Sequence, residues 1–96
     1  MIRTEKGHFW ITFENGLTLS VFNGFGSYTE NHFNIKLADE TENQASSETC
    51  EIAVMDQEGN WMTNTFINCN GDNVIGYIKP EKLAKIMQKI SKYKGD

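Results

Sequence analysis

The chain has one proline, Pro80, and only two cysteines, Cys50 and Cys69. Two cysteines do not make a disulfide scaffold, and in separate predicted strands they are expected to be reduced thiols. A zinc site would need Cys50, Cys69, His8 and His32 to converge. No CxxC or HxxxH pair draws them together, so no metal and no cofactor is expected. Long apolar runs are also missing: none approaches 18 residues, which argues against a membrane span. Residues 1–20 carry charges and an Asn-Gly turn in place of a signal peptide's apolar stretch, so the expected location is the cytoplasm. Basic charge is scarce, with Lys+Arg 9 against Asp+Glu 13 and a net charge of −4. Such a surface releases few counterions from a phosphate backbone, which argues against non-specific nucleic-acid binding. Catalytic patterns are thin as well. Ser20, Ser27, Ser46, Ser47 and Ser91 lack a nucleophile-elbow context. His8 and His32 have no nearby residue that assigns acid and base roles. The chain is expected not to be an enzyme.

What is present fits one domain over residues 1–96. A chain of 96 residues buries roughly 60–65% of the surface its unfolded form exposes, enough for one modest core. Asn15-Gly16 lies between two apolar-rich stretches, His8–Glu14 and Leu17–Phe22. Asn-Gly suits a two-residue type I′ turn, which would set Glu14 opposite Leu17, Phe13 opposite Thr18, Ile11 opposite Ser20 and Trp10 opposite Val21. Alternation then puts large apolar side chains on both faces of the hairpin. Asn31–Leu37 alternates Phe33, Ile35 and Leu37 with polar residues, the pattern of a half-buried strand. Residues 38–49 have no large apolar side chain and read as an exposed acidic loop. Glu51–Met55 and Trp61–Ile67 read as strands joined at Asp56-Gln57-Glu58-Gly59, a type I turn composition. A polar connection, Asn68–Asn73, leads to a last short strand, Val74–Ile78.

The closing segment reads as a helix over 80–93. Pro80 suits the first helical position, where a missing N–H costs nothing. Leu83, Ile86, Met87, Ile90 and Tyr93 recur at spacings of three and four, with Lys82, Lys85, Lys89 and Lys92 on the other side. Burying those five apolar side chains contributes roughly 7–15 kcal/mol before ordering costs. The predicted fold is therefore α+β: an antiparallel sheet of five or six strands with one C-terminal amphipathic helix packed on one face. One helix covers one face, so apolar residues on both faces of the hairpin imply a homo-oligomer. Charge also divides: residues 1–78 carry 3 basic and 11 acidic side chains, and residues 79–96 carry 6 and 2.

The loop Asn23–Tyr28 is the best ligand candidate. Gly24 and Gly26 permit close backbone approach, Ser27 offers a hydroxyl, and Phe25 and Tyr28 offer stacking surface. Asn31 and His32, just beyond, could supply directed hydrogen bonds. The loop matches neither GxGxxG nor a Walker motif, and Trp10 and Trp61 read as packing residues rather than platforms.

The segments KGHFWITFENGLTLSVFNGFGSYTENHFN, CEIAVMDQEGNW and NVIGYIKPEKLAKIMQKI resemble a family of small uncharacterised phage and prophage proteins. The resemblance spans most of the chain apart from 38–49. It implies a phage accessory protein acting in the bacterial host cytoplasm. By analogy with other short acidic phage proteins, it implies anti-defence action, either by sequestering a small nucleotide-type immune signal or by gripping a host defence protein as an inhibitor.

Overall fold

The first strand is one that hydropathy does not mark. β1, Ile2–Glu5, is exposed at all four residues and pairs antiparallel with β2, His8–Thr12. Lys6 and Gly7 join them, both at positive φ (27° and 81°), as a two-residue hairpin turn requires. The computed structural model describes residues 1–38 and 45–95. Three more strands follow: β3 at Thr18–Phe22, β4 at Cys50–Met55 and β5 at Ile75–Ile78. They add in chain order to one antiparallel sheet, β1-β2-β3-β4-β5. The expected α+β architecture is the one observed, with five strands.

The second hairpin forms where Asn15-Gly16 predicts it, but one residue out of the expected register. Trp10 faces Ser20, Ile11 faces Leu19 and Thr12 faces Thr18. The Phe13 N–H donates to the Leu17 carbonyl and the Gly16 N–H to the Phe13 carbonyl, so the loop has three residues, Glu14, Asn15 and Gly16. Gly16 alone takes positive φ, 89°, the signature of a type I turn closed by a glycine bulge. A slip of one residue turns a whole strand over. Leu17, Leu19 and Val21 now share a face with Phe9 and Ile11, not with Trp10. This face becomes the core with Ile52, Val54, Ile86 and Ile90. The other face keeps His8, Trp10, Thr12, Thr18, Ser20 and Phe22. The aliphatic side chains of β3 are thus collected on the side the helix covers, while Trp10 and Phe22 remain on the other face.

That helix, α2, runs Pro80–Lys92, with Pro80 in its first turn and Tyr93 as its C-cap. Ile86 and Ile90 are fully buried, while Leu83, Met87 and Tyr93 pack at the margin. The lysines lie outside. Its C-terminus is closed by a residue 75 positions away: Asn15 Nδ2 donates to the Ile90 carbonyl (2.7 Å) and to the Tyr93 carbonyl (3.0 Å). Free carbonyls at a helix end need such donors. The same Asn15 accepts from the Leu17 N–H through Oδ1. The three-residue loop therefore also serves as a tertiary helix cap.

Two predicted strands are not strands. Trp61–Ile67 makes one β-bridge, Met55 with Trp61, and then turns into a short helix, α1, at Thr63–Phe66. Beyond the end of β5, Val54 would have no strand partner. The Thr63 hydroxyl accepts from its N–H (2.8 Å) and the Met62 N–H donates to its carbonyl (2.7 Å). The turn lets Phe66 enter the core, edge-on to Tyr93. Cys69 accordingly lies in the turn after α1, not in a strand, and it and Cys50 are free thiols. Asn31–Leu37 is the second correction. It forms successive turns and a 3₁₀ segment, Ile35–Ala38, with Phe33 and Ile35 in solvent. The alternation is real, but no sheet edge receives it. Of the expected acidic loop 38–49, residues 39–44 lie outside the described residues. Thr49 and Glu48 are held by Glu30: Oε1 accepts both backbone N–H groups and Oε2 the Thr49 hydroxyl (2.7 Å). These bonds hold the Glu30 carboxyl below the usual carboxylate range.

Candidate functional site

Two surfaces meet at Glu51. The first is the loop singled out by its glycines and aromatics. Its seat is built from small polar residues. Ser27 is buried; its hydroxyl donates to the Gly24 carbonyl and lies 2.7 Å from the Thr29 hydroxyl, which accepts from the Asn31 N–H. Asn31 Nδ2 donates to the Asn23 and Ser46 carbonyls at 2.8 and 2.9 Å. Ser27, Asn31 and Gly24 are therefore buried and built into the seat of the loop. Gly26 has φ 87°, which favours glycine, yet an added Cβ would meet nothing within 4 Å. Its glycine serves backbone conformation, and the space beside its Cα is open.

The seated loop lifts aromatics outward. Tyr28 stacks on His32 (centroids 5.8 Å apart, 17° between planes), and His32 meets Phe33 edge-on at 4.4 Å. His32 Nδ1 lies 3.0 Å from the Ser27 carbonyl, which fixes the ring. Phe33 is 87% exposed, Ile35 76% and Tyr28 50%; Phe25 is exposed as well. The predicted group thus splits: Phe25, Tyr28 and His32 are available at the surface, while Gly24, Ser27 and Asn31 hold them there. Strand β5 supplies the dock. The Tyr77 N–H donates to the Tyr28 carbonyl (2.8 Å), and a Cβ on Gly76 would stand 2.2 Å from the Tyr28 Cβ. Only glycine lets the loop lie so close. Tyr77 itself sits at φ 55°, an uncommon conformation for an aromatic residue, beside the bulge in the β4–β5 pairing, and is 62% exposed.

The second surface is the open face of the sheet, which sequence reasoning missed because it assigned both tryptophans to packing. A groove of about 270 Å³ crosses it, lined by His8, Trp10, Thr18, Ser20, Glu51, Ala53, Met55, Trp61 and Val74. Trp61 is 49% exposed, brought over the face by its bridge to Met55. Trp10 carries the His8 ring at 3.8 Å and the Arg3 guanidinium at 3.9 Å. His8 Nε2 lies 2.5 Å from Ser20 Oγ. Burial, and then the charge of Arg3, lower the His8 pKa, so the ring is neutral at pH 7. Glu51 joins the two surfaces: its Oε1 accepts the Tyr28 N–H at 3.1 Å. A larger depression of about 650 Å³, between Thr4, Phe9, Val21, Cys50 and Ser46, gathers no comparable set of aromatics.

A serine beside a neutral histidine invites comparison with a nucleophile and its base. Acyl transfer also needs N–H groups aimed at the developing oxyanion. Ser20 lies at the middle of β3, between β2 and β4, where neighbouring N–H groups belong to the sheet ladder. Burial pushes the Cys50 thiol up to about 11 and, with the charge of Asp72, raises Cys69 as well, which disfavours the thiolate form of both. What the arrangement offers is contact surface: stacked rings on a rigid seat, a groove between tryptophans, and one carboxylate. Comparison with protein-family models, curated proteins and solved structures finds no match for the chain.

Proposed function

We propose that this chain is a non-catalytic binding protein and that it holds another protein, in the phage setting a component of a host defence complex. The observation that carries this reading is the exposure of Phe33, which meets the Tyr28–His32 stack, and of Ile35 two residues on, next to a loop fixed by buried Ser27, Thr29 and Asn31. Single exposed apolar residues are ordinary; a contiguous group marks an interaction surface. Aromatic anchors held in place before binding lose little conformational entropy on docking. Sequestration of a nucleotide signal is the weaker reading. Of the loop Asn23–Tyr28, Asn23 alone lines a depression described above, the larger one, and Lys36 is the only Lys or Arg between residues 7 and 78 to meet a phosphate. The deciding experiment compares wild type with the Phe33→Asp/Ile35→Asp variant. Both positions are solvated, so stability changes by less than about 0.5 kcal/mol per substitution. Wild type cross-links to a partner in bacterial lysate, the partner is identified and purified, and the variant binds it at least about tenfold more weakly, a change of about 1.4 kcal/mol. Calorimetry with a nucleotide panel, including cyclic dinucleotides and cyclic ADP-ribose isomers, gives no binding heat. Nucleotide binding that Tyr28→Ala abolishes would reverse the assignment.

A further inference from the structure

The groove on the open face has a chemistry distinct from that of the loop. Of its nine lining residues, Glu51 is the only one that carries a formal charge, since His8 is neutral at pH 7. Its walls include two tryptophans, Trp10 and Trp61, and the thioether of Met55; Thr18, Ser20 and Ala53 add small side chains. At about 270 Å³ it falls just below the roughly 300–1,000 Å³ typical of small-ligand pockets. That size suits one long side chain better than a nucleotide. A carboxylate beside aromatic faces selects a cation, and a planar, weakly hydrated one best. The fold already holds one such group in this region: the Arg3 guanidinium lies over Trp10 at 3.9 Å. With Trp10 so occupied, Trp61, at the Met55 end of the groove, is the exposed platform left in a lining that also holds Glu51. The surrounding charge points the same way, since residues 1–78 carry 11 acidic against 3 basic side chains.

We infer that this groove receives an arginine side chain of the protein partner, with the guanidinium stacked on Trp61 and paired with Glu51. The inference rests on the protein-binding reading above and deepens it: the aromatic loop supplies apolar contact, and the groove supplies selection for an arginine. Glu51 is the hinge of the arrangement, because the carboxylate that meets the cation also anchors the loop through the Tyr28 N–H. A protein that offers a hydrophobic surface with a projecting arginine fits both surfaces at once.

The test needs no partner, so its failure is separable from failure of the loop reading. The chain has two tryptophans, and both line the groove, so their indole N–H resonances and their fluorescence report occupancy directly. The probe is N-acetyl-arginine amide. Saturable shifts of the tryptophan signals are expected in the millimolar range, as the small size of the probe implies. N-acetyl-citrulline amide, which keeps the shape and loses the charge, binds about tenfold more weakly. Glu51→Gln, whose side-chain carbonyl can still accept the Tyr28 N–H, weakens arginine binding about tenfold and leaves citrulline binding unchanged. Trp61→Ala weakens it about 5- to 30-fold, as loss of a partly desolvated cation–π contact implies. The inference is overturned if no saturable change appears up to about 50 mM probe. It is equally overturned if citrulline binds as well as arginine, or if N-acetyl-phenylalanine amide binds better than either.

Discussion

Thr63→Val tests how the short helix α1 is held. The substitution keeps shape and removes one oxygen. That oxygen accepts the Val54 N–H at 2.8 Å and lies 2.7 Å from the Asn73 carbonyl, to which it donates. Thr63 is 1% exposed and Val54 fully buried, so water cannot replace the lost partner. Orphaning the Val54 N–H costs about 1–3 kcal/mol, losing the bond to Asn73 adds about 0.5–1.5, and the new methyl offsets about 0.8. The net loss is about 0.7–3.7 kcal/mol, and each kcal/mol lowers Tm by roughly 4–8 °C in a domain of this size. Urea denaturation followed by far-UV circular dichroism measures it, with an unchanged m-value showing that the unfolded state is the same. Thr63→Ser is the control: it keeps the hydroxyl and loses one methyl, so it costs about 1 kcal/mol. A Val variant within about 0.5 kcal/mol of wild type would show that the hydroxyl does not hold this turn.

Ile90→Ala should cost about 2–5 kcal/mol through transfer and cavity terms, whereas Lys85→Ala should change stability by less than about 0.5; equal losses in chemical denaturation would mean that the helix faces are reversed. Asn15→Ala removes both donors to the end of α2 and should cost about 1–2 kcal/mol, while Asn15→Ser, too short to reach across, should recover little of it; thermal melts distinguish these outcomes. His8 has a folded-state pKa below its unfolded value of 6.5, so its contribution is present above pH 6.5 and is lost as pH falls through the folded pKa. Arg3 lowers and Glu5 raises that pKa, and Glu51 lines the same groove, so stability from pH 7.5 to 5 should fall less steeply in His8→Gln than in wild type; parallel curves would remove His8 as the cause.

The closing helix could be read from the sequence because every local signal in it agrees. Pro80 starts it, the apolar positions recur at helical spacing, and the side so marked is the side that packs. The hairpin at Asn15-Gly16 was legible as a turn but not as a register. Asn-Gly serves a two-residue or a three-residue loop, and the choice is fixed where Asn15 reaches the end of a helix 75 residues away. That single residue of slip decides which side chains form the core. Four exposed residues in β1 have no hydropathy pattern to show, so the strand exists through pairing with β2 alone. Phe33 and Ile35 alternate as a strand would, yet remain in solvent, because alternation records which side chains could share a face and not whether a sheet is there to receive them. The loop between Gly24 and His32 was legible as a place of aromatics and glycines. Which of its residues are scaffold and which are surface was decided by hydrogen bonds to Asn23, Ser46 and Glu51 and by the close approach of Gly76. Trp10 and Trp61 lie 51 positions apart, and only the sheet, with β3 between β2 and β4, and the Met55–Trp61 bridge set them along one groove. Sequence fixes which side chains can stack, pair or pack; the long-range closures, whose partners lie far along the chain, decide which of them do.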